Sequence, residues 1–282
     1  MTETRLPDFL IIGAMKCGTS TLQVQLASQQ GVFMTTPKEP NFFSDDPVYA
    51  QGLDWYHSLF DPAEPGVLKG EASTHYTKLP TYPDTIARMR QVLTSPRLVY
   101  VIRNPVERAI SQYLHEWSKG SVGRDVARAF ETSPEFIAYS RYPEQISPFV
   151  EQFGAENVLL TSLEQIKKDP DGELQRIGAH IRAPAPCIWN HELGAQNVSA
   201  QRVRPLPFHN LLVRHPVARA IRQALVPKSI RNRIKSARTR DDRPSPPEAL
   251  RRELEVTFRP DQAELARLFP DFSGLARSYP FA

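Results

Sequence analysis

The chain has 282 residues, of which 40% are hydrophobic and 23% are charged, so it is long enough to bury the core of an α/β domain. Its formal net charge is +4 and its pI is about 9.1, a balance that suits an anionic ligand but is too modest to indicate nucleic acid. The two cysteines, Cys17 and Cys187, have no Cys or His at metal-ligand spacing, which argues against a disulfide framework and a zinc site. We therefore expect a reduced compartment, no metal and no nucleic-acid partner.

The apolar run at residues 9–15 is too short to cross a bilayer, and it lacks the charged start and small-residue cleavage site of a signal peptide. We expect no transmembrane segment and a cytoplasmic location. Nothing in the residue order indicates the oligomeric state.

The first predicted element is a strand over residues 8–13, followed by a loop and by a helix that includes Thr21–Leu26. Residues 97–102 are almost continuously apolar, as in a strand that is covered on both faces. A helix with Pro105 near its start follows, to about Trp117. Strand and helix alternate again over residues 157–180, which favours a parallel sheet with flanking helices.

The composition changes between residues 201 and 245, where Arg, Lys and Pro are frequent, and an amphipathic helical pattern returns over residues 246–269. We predict a single domain over residues 1–282, with a three-layer, P-loop-like α/β fold in which helices flank a central parallel sheet. The basic stretch is then an insertion, either a lid or part of the acceptor surface. A solvated helical arm is the alternative, and the residue order does not decide between them.

The segment Gly13–Ser20 lies between a strand and a helix, where backbone N–H groups can cradle a phosphate. It departs from the pattern of nucleotide triphosphatases, because Thr19 follows the second glycine where that pattern has Lys. Lys16 lies inside the loop instead.

A second anion site is predicted at the end of the strand over residues 97–102. A kinase needs an acid near such a position to hold magnesium, whereas this strand is followed by Arg103. Ser111 stands eight residues later, about two turns into the following helix, so both side chains could reach one phosphate. Two separate anion sites imply a nucleotide that is phosphorylated at two places.

Three motifs now carry a family resemblance. Lys16–Leu22 resembles the 5′-phosphosulfate loop of sulfotransferases that depend on 3′-phosphoadenosine 5′-phosphosulfate (PAPS), and Arg103–Ser111 resembles their 3′-phosphate motif. Thr36–Phe43, an acid followed by a Phe-Phe pair, is similar to the glycosaminoglycan (heparan sulfate) and Golgi-type branch. The resemblance implies a soluble, stand-alone, bacterial-type sulfotransferase. Such an enzyme transfers a sulfuryl group from PAPS to a hydroxyl or amine of a small-molecule, glycan or lipid acceptor, without a metal, and releases adenosine 3′,5′-bisphosphate (PAP).

The resemblance also implies roles for individual residues. Lys16 would neutralise charge that develops on the bridging oxygen. Glu39, between Pro37 and Pro40, would be the general base if burial raises its pKa, and His75 would be an alternative base or an acceptor contact. The residues expected to bind the nucleotide are Lys16, Cys17, Gly18, Thr19, Ser20, Thr21, Arg103, Ser111, Arg202 and Arg204.

The sequence departs from the family at Ala72, where related enzymes place a lysine that approaches the acceptor, and this argues against a sugar polymer as substrate. His115 and Glu116 show no metal-ligand spacing, so we predict structural roles for them. Plainer readings remain: Lys16 as a surface lysine, ordinary helix capping in the loop and Glu39 as an exposed loop acid. The alternative functions are a P-loop-type small-molecule kinase and a non-catalytic nucleotide-binding protein.

Overall fold

The computed structural model describes residues 5–194 and 243–282. Their strands form one five-stranded sheet, in the order β2-β3-β1-β4-β5, with every neighbouring pair parallel. The strands are β1 (Phe9–Gly13), β2 (Val32–Met34), β3 (Leu68–Ala72), β4 (Arg97–Ile102) and β5 (Val158–Ser162). The predicted fold class is confirmed.

The sequence did not predict β2 and β3. β2 has only three residues, and the charged residues Lys69 and Glu71 interrupt the apolar pattern of β3. Both charged side chains are nevertheless buried. Tertiary contacts therefore decide the conformation of this segment against its local pattern.

Helices connect the strands and surround the sheet. Those among the described residues are α1 (Thr19–Ala27), α2 (Asp46–Tyr49), α3 (Gly52–Ser58), α4 (Thr85–Val92), α5 (Pro105–Lys119), α6 (Val126–Thr132), α7 (Glu135–Ala138), α8 (Tyr142–Phe153), α9 (Leu163–Lys168), α10 (Pro170–Ile181), α11 (Glu248–Leu268) and α12 (Leu275–Ser278), with a short 3₁₀ helix at Ala155–Asn157. No helix in the described ranges combines the length and the apolar character of a bilayer span.

The order of the strands places a crevice at the carboxyl ends of β1 and β4. The chain runs from β1 to β2 and β3 on one side, and then crosses to β4 and β5 on the other. In open α/β sheets, ligands bind at the point where the direction of winding reverses. The loop after β1 and the residue after β4 meet at this point, so the fold brings the two predicted anion motifs together.

The C-terminal helix α11 packs against α5 and α8. Its apolar residues Leu254, Phe258 and Leu265 are buried, and Arg141 Nε before α8 donates to both carboxylate oxygens of Asp261, at 2.9 and 3.0 Å. The helix predicted over residues 246–269 is thus observed. Most of the predicted insertion over 201–245 lies outside the described residues, so the single-domain organisation stays a prediction.

Candidate active site

The phosphate loop connects β1 to α1 and leaves the sheet beside β4. The backbone N–H of Ala14 donates to Val101 O at 2.7 Å, which joins the loop to β4. Gly18 caps α1 with a φ of 88°, and a Cβ at this position would lie 2.9 Å from the side chain of Leu163. Lys16 also has a positive φ, of 72°, a conformation that costs energy outside glycine and is common at functional sites. The loop is therefore held in one specific shape.

Arg103 connects this loop to the second anion motif. Its Nη1 donates to the carbonyl oxygen of Lys16 at 3.3 Å, and its backbone N–H and C=O both bond to the Tyr142 hydroxyl. Nε of Arg103 is buried and has no hydrogen-bond partner in the described part of the chain. Ser111 lies on α5 with 5% of its surface exposed. A partly buried guanidinium with one unused donor beside a phosphate loop is suited to binding an anion.

Glu39 lies on the opposite wall, in the loop after β2. Its backbone N–H donates to Ala72 O at 3.0 Å, and its φ is 60°. One carboxylate oxygen, Oε1, accepts from Lys38 Nζ at 2.8 Å and from Thr74 Oγ1 at 3.1 Å. The end of β3 thereby fixes both the backbone and the carboxylate of Glu39.

The pKa of Glu39 is lowered, so the condition that was set for its role as general base, a pKa raised by burial, is not met. Burial by itself would raise this pKa, but the ammonium of Lys38 and the hydroxyl of Thr74 stabilise the ionised form and lower the pKa below its ordinary value of 4.5. Glu39 is therefore a carboxylate at neutral pH, ready to accept a proton but only a weak base.

A buried carboxyl group beneath Glu39 supports this wall. Glu71, on β3, is fully buried and accepts hydrogen bonds from the hydroxyls of Tyr56 and Tyr76. Burial raises its pKa despite these hydrogen bonds. Phe42 stacks on Tyr56, with ring centroids 4.4 Å apart. The aromatic residues after Glu39 are thus core anchors of its loop.

His75 lies beside Glu39 and is held by two neighbours. Its Nδ1 lies 3.2 Å from Asp45 Oδ1, and its ring stacks on Tyr82 with centroids 4.8 Å apart. Burial lowers the pKa of His75 below 6.5, so the imidazole is neutral at pH 7. The contact with Asp45 occupies Nδ1 and leaves Nε2 as the ring nitrogen that can interact with a ligand.

Six of the twelve predicted residues line one cleft of about 570 Å³ between the loop, the end of β3 and α5, and Arg103 and Ser111 are not among its lining residues. The predicted residues that line it are Lys16, Gly18, Thr19, Ser20, Glu39 and His75. Lys38, Thr74 and Lys78 also line it and were not predicted. His115 and Glu116 were predicted to be structural, but they too face this cleft.

Other predicted residues lie elsewhere. The thiol of Cys17 is fully buried against Tyr142, and burial raises its pKa to about 11, so its side chain belongs to the core. Thr21 lies in the first turn of α1. Arg202 and Arg204 lie outside the described residues, and their predicted contact with the 3′-phosphate stays a prediction. In the described ranges, no group of three or more His, Cys, Asp or Glu side chains could hold a metal.

The fold and the positions of the two predicted anion motifs define a P-loop-like α/β protein. Comparison with known proteins gives the family: residues 6–192 match the sulfotransferase domain. The chain belongs to this family, as its motifs predicted.

The chain is 32% identical over 185 residues to heparan sulfate glucosamine 3-O-sulfotransferase 3B1 of Mus musculus, a match that covers 61% of this chain and 45% of that protein. It is 33% identical over 131 residues to the membrane-associated sulfotransferase kil1 of Dictyostelium discoideum, which covers 45% of this chain and 27% of that protein. The matched region thus spans about half of these relatives or less. A solved sulfotransferase from Alicyclobacillus acidocaldarius has the same fold, with a TM-score of 0.68 at 23% identity over 96% of this chain and 99% of that chain.

Proposed function

We propose that this protein transfers a sulfuryl group from PAPS to a hydroxyl or amine of a small-molecule, glycan or lipid acceptor. The observation that carries this proposal is that the phosphate loop contacts Arg103 on one side and shares a cleft with Glu39 on the other. Arg103 touches the loop directly through the carbonyl of Lys16, and Lys16 and Glu39 line the same cleft.

The residues present fit a bisphosphorylated nucleotide. The loop and the N-terminus of α1 would bind the 5′-phosphate through backbone N–H and hydroxyl donors of Gly18, Thr19 and Ser20. Arg103 and Ser111 would bind the 3′-phosphate, and the buried, unpartnered Nε of Arg103 supports this assignment. The kinase alternative is disfavoured because an arginine at the end of β4 repels the magnesium that ATP requires.

In the proposed reaction, the acceptor oxygen or nitrogen forms a bond to sulfur while the bond between sulfur and the bridging oxygen breaks. Glu39 takes the acceptor proton, and the ammonium of Lys16 neutralises the charge left on the bridging oxygen of PAP. The ionised state of Glu39 suits this role. Positioning and electrostatics would supply most of the rate, as in phosphoryl transfer.

The acceptor wall of the cleft supports a polar acceptor. The residues of α5 and of the segments after it that line this wall are mostly polar: Gln112, His115, Glu116, Lys119, Ser121, Val122, Ser133, Glu135 and Tyr139. Groups of this kind satisfy hydroxyl and charged groups better than a long alkyl chain. Among the proposed acceptor classes, we therefore favour a glycan or a polar small molecule. The names of the mouse and human relatives, which specify heparan sulfate glucosamine, support a glycan, whereas Ala72 argues against a sugar polymer.

The test is a calorimetric titration with PAP, ADP and ATP, each with and without magnesium. It requires no knowledge of the acceptor. We expect PAP to bind most tightly and without dependence on magnesium, because Arg103 and Ser111 would recognise a phosphate that ADP and ATP lack. Binding of ATP only with magnesium would contradict the proposal and favour the kinase.

The variant Arg103→Ala tests the assignment of the 3′-phosphate site. It should lower the affinity for PAP by about tenfold or more while leaving the affinity for ADP within about twofold, since a charge-assisted hydrogen bond contributes roughly 1.5–3 kcal/mol. Equal losses for both nucleotides would argue against a 3′-phosphate site at Arg103. A measurement of PAP release from PAPS in the presence of an acceptor then distinguishes the two remaining functions: an enzyme releases PAP, and a non-catalytic binding protein does not.

A further inference from the structure

Lys78 carries a half-buried charge that the proposed reaction does not yet use. It follows β3 and lines the cleft together with Lys16 and Glu39. Its ammonium has no hydrogen bond or ion pair with any residue in the described ranges, and it lies over the ring of Tyr139, with Nζ 5.9 Å from the ring centroid. An unpaired charge that is largely removed from water destabilises the fold. Such a group is a candidate for binding an anion.

The backbone on both sides of Lys78 is firmly held. Thr77 Oγ1 donates to Ile12 O of β1 at 2.9 Å, directly before the phosphate loop. On the other side, the N–H of Leu79 donates to Gln145 Oε1 at 2.7 Å, and Gln145 Nε2 donates to Leu79 O at 3.0 Å. Lys78 therefore starts from a fixed point beside the loop, which lowers the entropy cost of using it in a binding site.

The charges around Lys78 do not neutralise it. Burial lowers its pKa to about 8; Glu39 and Glu116 raise this pKa, and Arg108 and Lys119 lower it. The carboxylate of Glu39 is already bonded to Lys38 and Thr74. The ammonium is thus mostly protonated at neutral pH but short of negative charge.

The other lysines of the cleft are engaged differently. Lys38 is paired with Glu39 at 2.8 Å. Lys119 lies 3.6 Å from Glu116, and 55% of its side chain is exposed. In the proposed reaction Lys16 serves the bridging oxygen. Among the lysines that line the cleft in the described part of the chain, Lys78 is therefore the one with neither an ion pair nor a role in the proposed reaction.

We propose that Lys78 binds the oxygens of the sulfuryl group of PAPS and so holds this group between the loop and Glu39. This inference rests on the proposed function and extends it, because it gives the cleft a way to distinguish the donor from the product. Ala72, at the end of β3, is fully buried and brings no charge to the cleft. Lys78 brings a positive charge to the cleft from the turn that follows that strand.

The experiment compares the affinities of the wild type and of Lys78→Met for PAP and for PAPS, by calorimetry without acceptor. Met keeps most of the length of the side chain and removes its charge. We expect the affinity for PAPS to fall by about ten- to a hundredfold, because one charge-assisted hydrogen bond is lost. The affinity for PAP, which lacks the sulfuryl group, should stay within about twofold. Lys78→Gln, which keeps the cleft polar, should give the same selective loss.

The control variant is Lys119→Met, which removes the same charge from the mouth of the same cleft. It should change both affinities alike and only slightly, because exposed charges are screened by water and salt. Thermal unfolding of ligand-free Lys78→Met should occur at the wild-type temperature or above it, since an unpaired charge is removed. A lower unfolding temperature together with equal losses for both ligands would mean that Lys78 is structural.

The remaining outcomes are also decisive. An unchanged affinity for PAPS would overturn the inference, and a raised KM for the acceptor alone would then assign Lys78 to an anionic group of the acceptor. If wild-type protein binds neither PAP nor PAPS, the proposed function itself fails. That result is distinct from a failure at Lys78.

Discussion

At the scale of single residues, the site combines two strained backbones with opposite charges. Lys16 and Glu39 both have positive φ angles, a conformation that costs of order 1–3 kcal/mol outside glycine. The surrounding hydrogen bonds hold them there, and both side chains line one cleft. The geometry therefore favours a functional role for these two residues over a surface lysine and a loose loop acid.

The pair of Lys38 and Glu39 gives a prediction about protonation. In Lys38→Met, we expect the pKa of Glu39 to rise, because the ammonium that stabilises its carboxylate is gone while burial remains. The measurement is a carboxyl ¹³C NMR titration, with the Glu39 signal assigned by its loss in Glu39→Gln. Lys167→Met, on α9, is the control and should leave this pKa unchanged. An unaltered pKa in Lys38→Met would show that Thr74 and the backbone hold the carboxylate ionised without Lys38.

At the scale of elements, α11 is attached to the body of the protein by an apolar face, by the ion pair of Arg141 with the buried Asp261, and by a more exposed ion pair of Arg251 with Glu107. Asp261 is 1% exposed at its side chain and Arg141 is 30% exposed. Removal of one partner of a fully buried pair costs about 3–5 kcal/mol, and partial exposure of Arg141 reduces this value.

We therefore expect Asp261→Ala to lower the free energy of unfolding by roughly 2–3 kcal/mol, measured by urea denaturation. Glu264→Ala, on the same helix, is the control, because Glu264 is half-exposed and its partner Arg267 is exposed. It should cost less than about 1 kcal/mol. Equal effects of the two substitutions would contradict the assignment of Arg141 and Asp261 as the attachment of α11.

At the scale of the whole molecule, the crevice is formed by elements from distant parts of the chain, so ligand binding should stabilise the fold as a unit. At a PAP concentration about a hundred times Kd, linkage adds about 2.7 kcal/mol, which corresponds to a rise in Tm of roughly 5 °C or more for a chain of this size. Adenosine 5′-monophosphate at the same concentration should give a clearly smaller rise, since it lacks the 3′-phosphate. Equal shifts would argue against a site for two phosphates.

The sequence by itself determined the parallel sheet, the phosphate loop and the two anion motifs. These features depend on short stretches of the sequence: an apolar run, a glycine before a helix, and an arginine at the end of a strand. It also predicted α1, α5, α10 and α11, whose apolar spacing and capping residues are local signals. Strands β2 and β3 could not be predicted, because neighbours elsewhere in the chain bury them.

Only the tertiary structure decided the chemistry of the acceptor side. The pKa of Glu39 is lowered because Lys38 and, from 35 residues away, Thr74 both bond to its carboxylate. Lys78 becomes a binding candidate because the fold half-buries it without a hydrogen bond or ion pair in the described ranges. Cys17, inside the phosphate motif, points into the core. Desolvation and Coulomb interactions act through space, so charges that are distant in the sequence determine these properties and no local pattern can encode them.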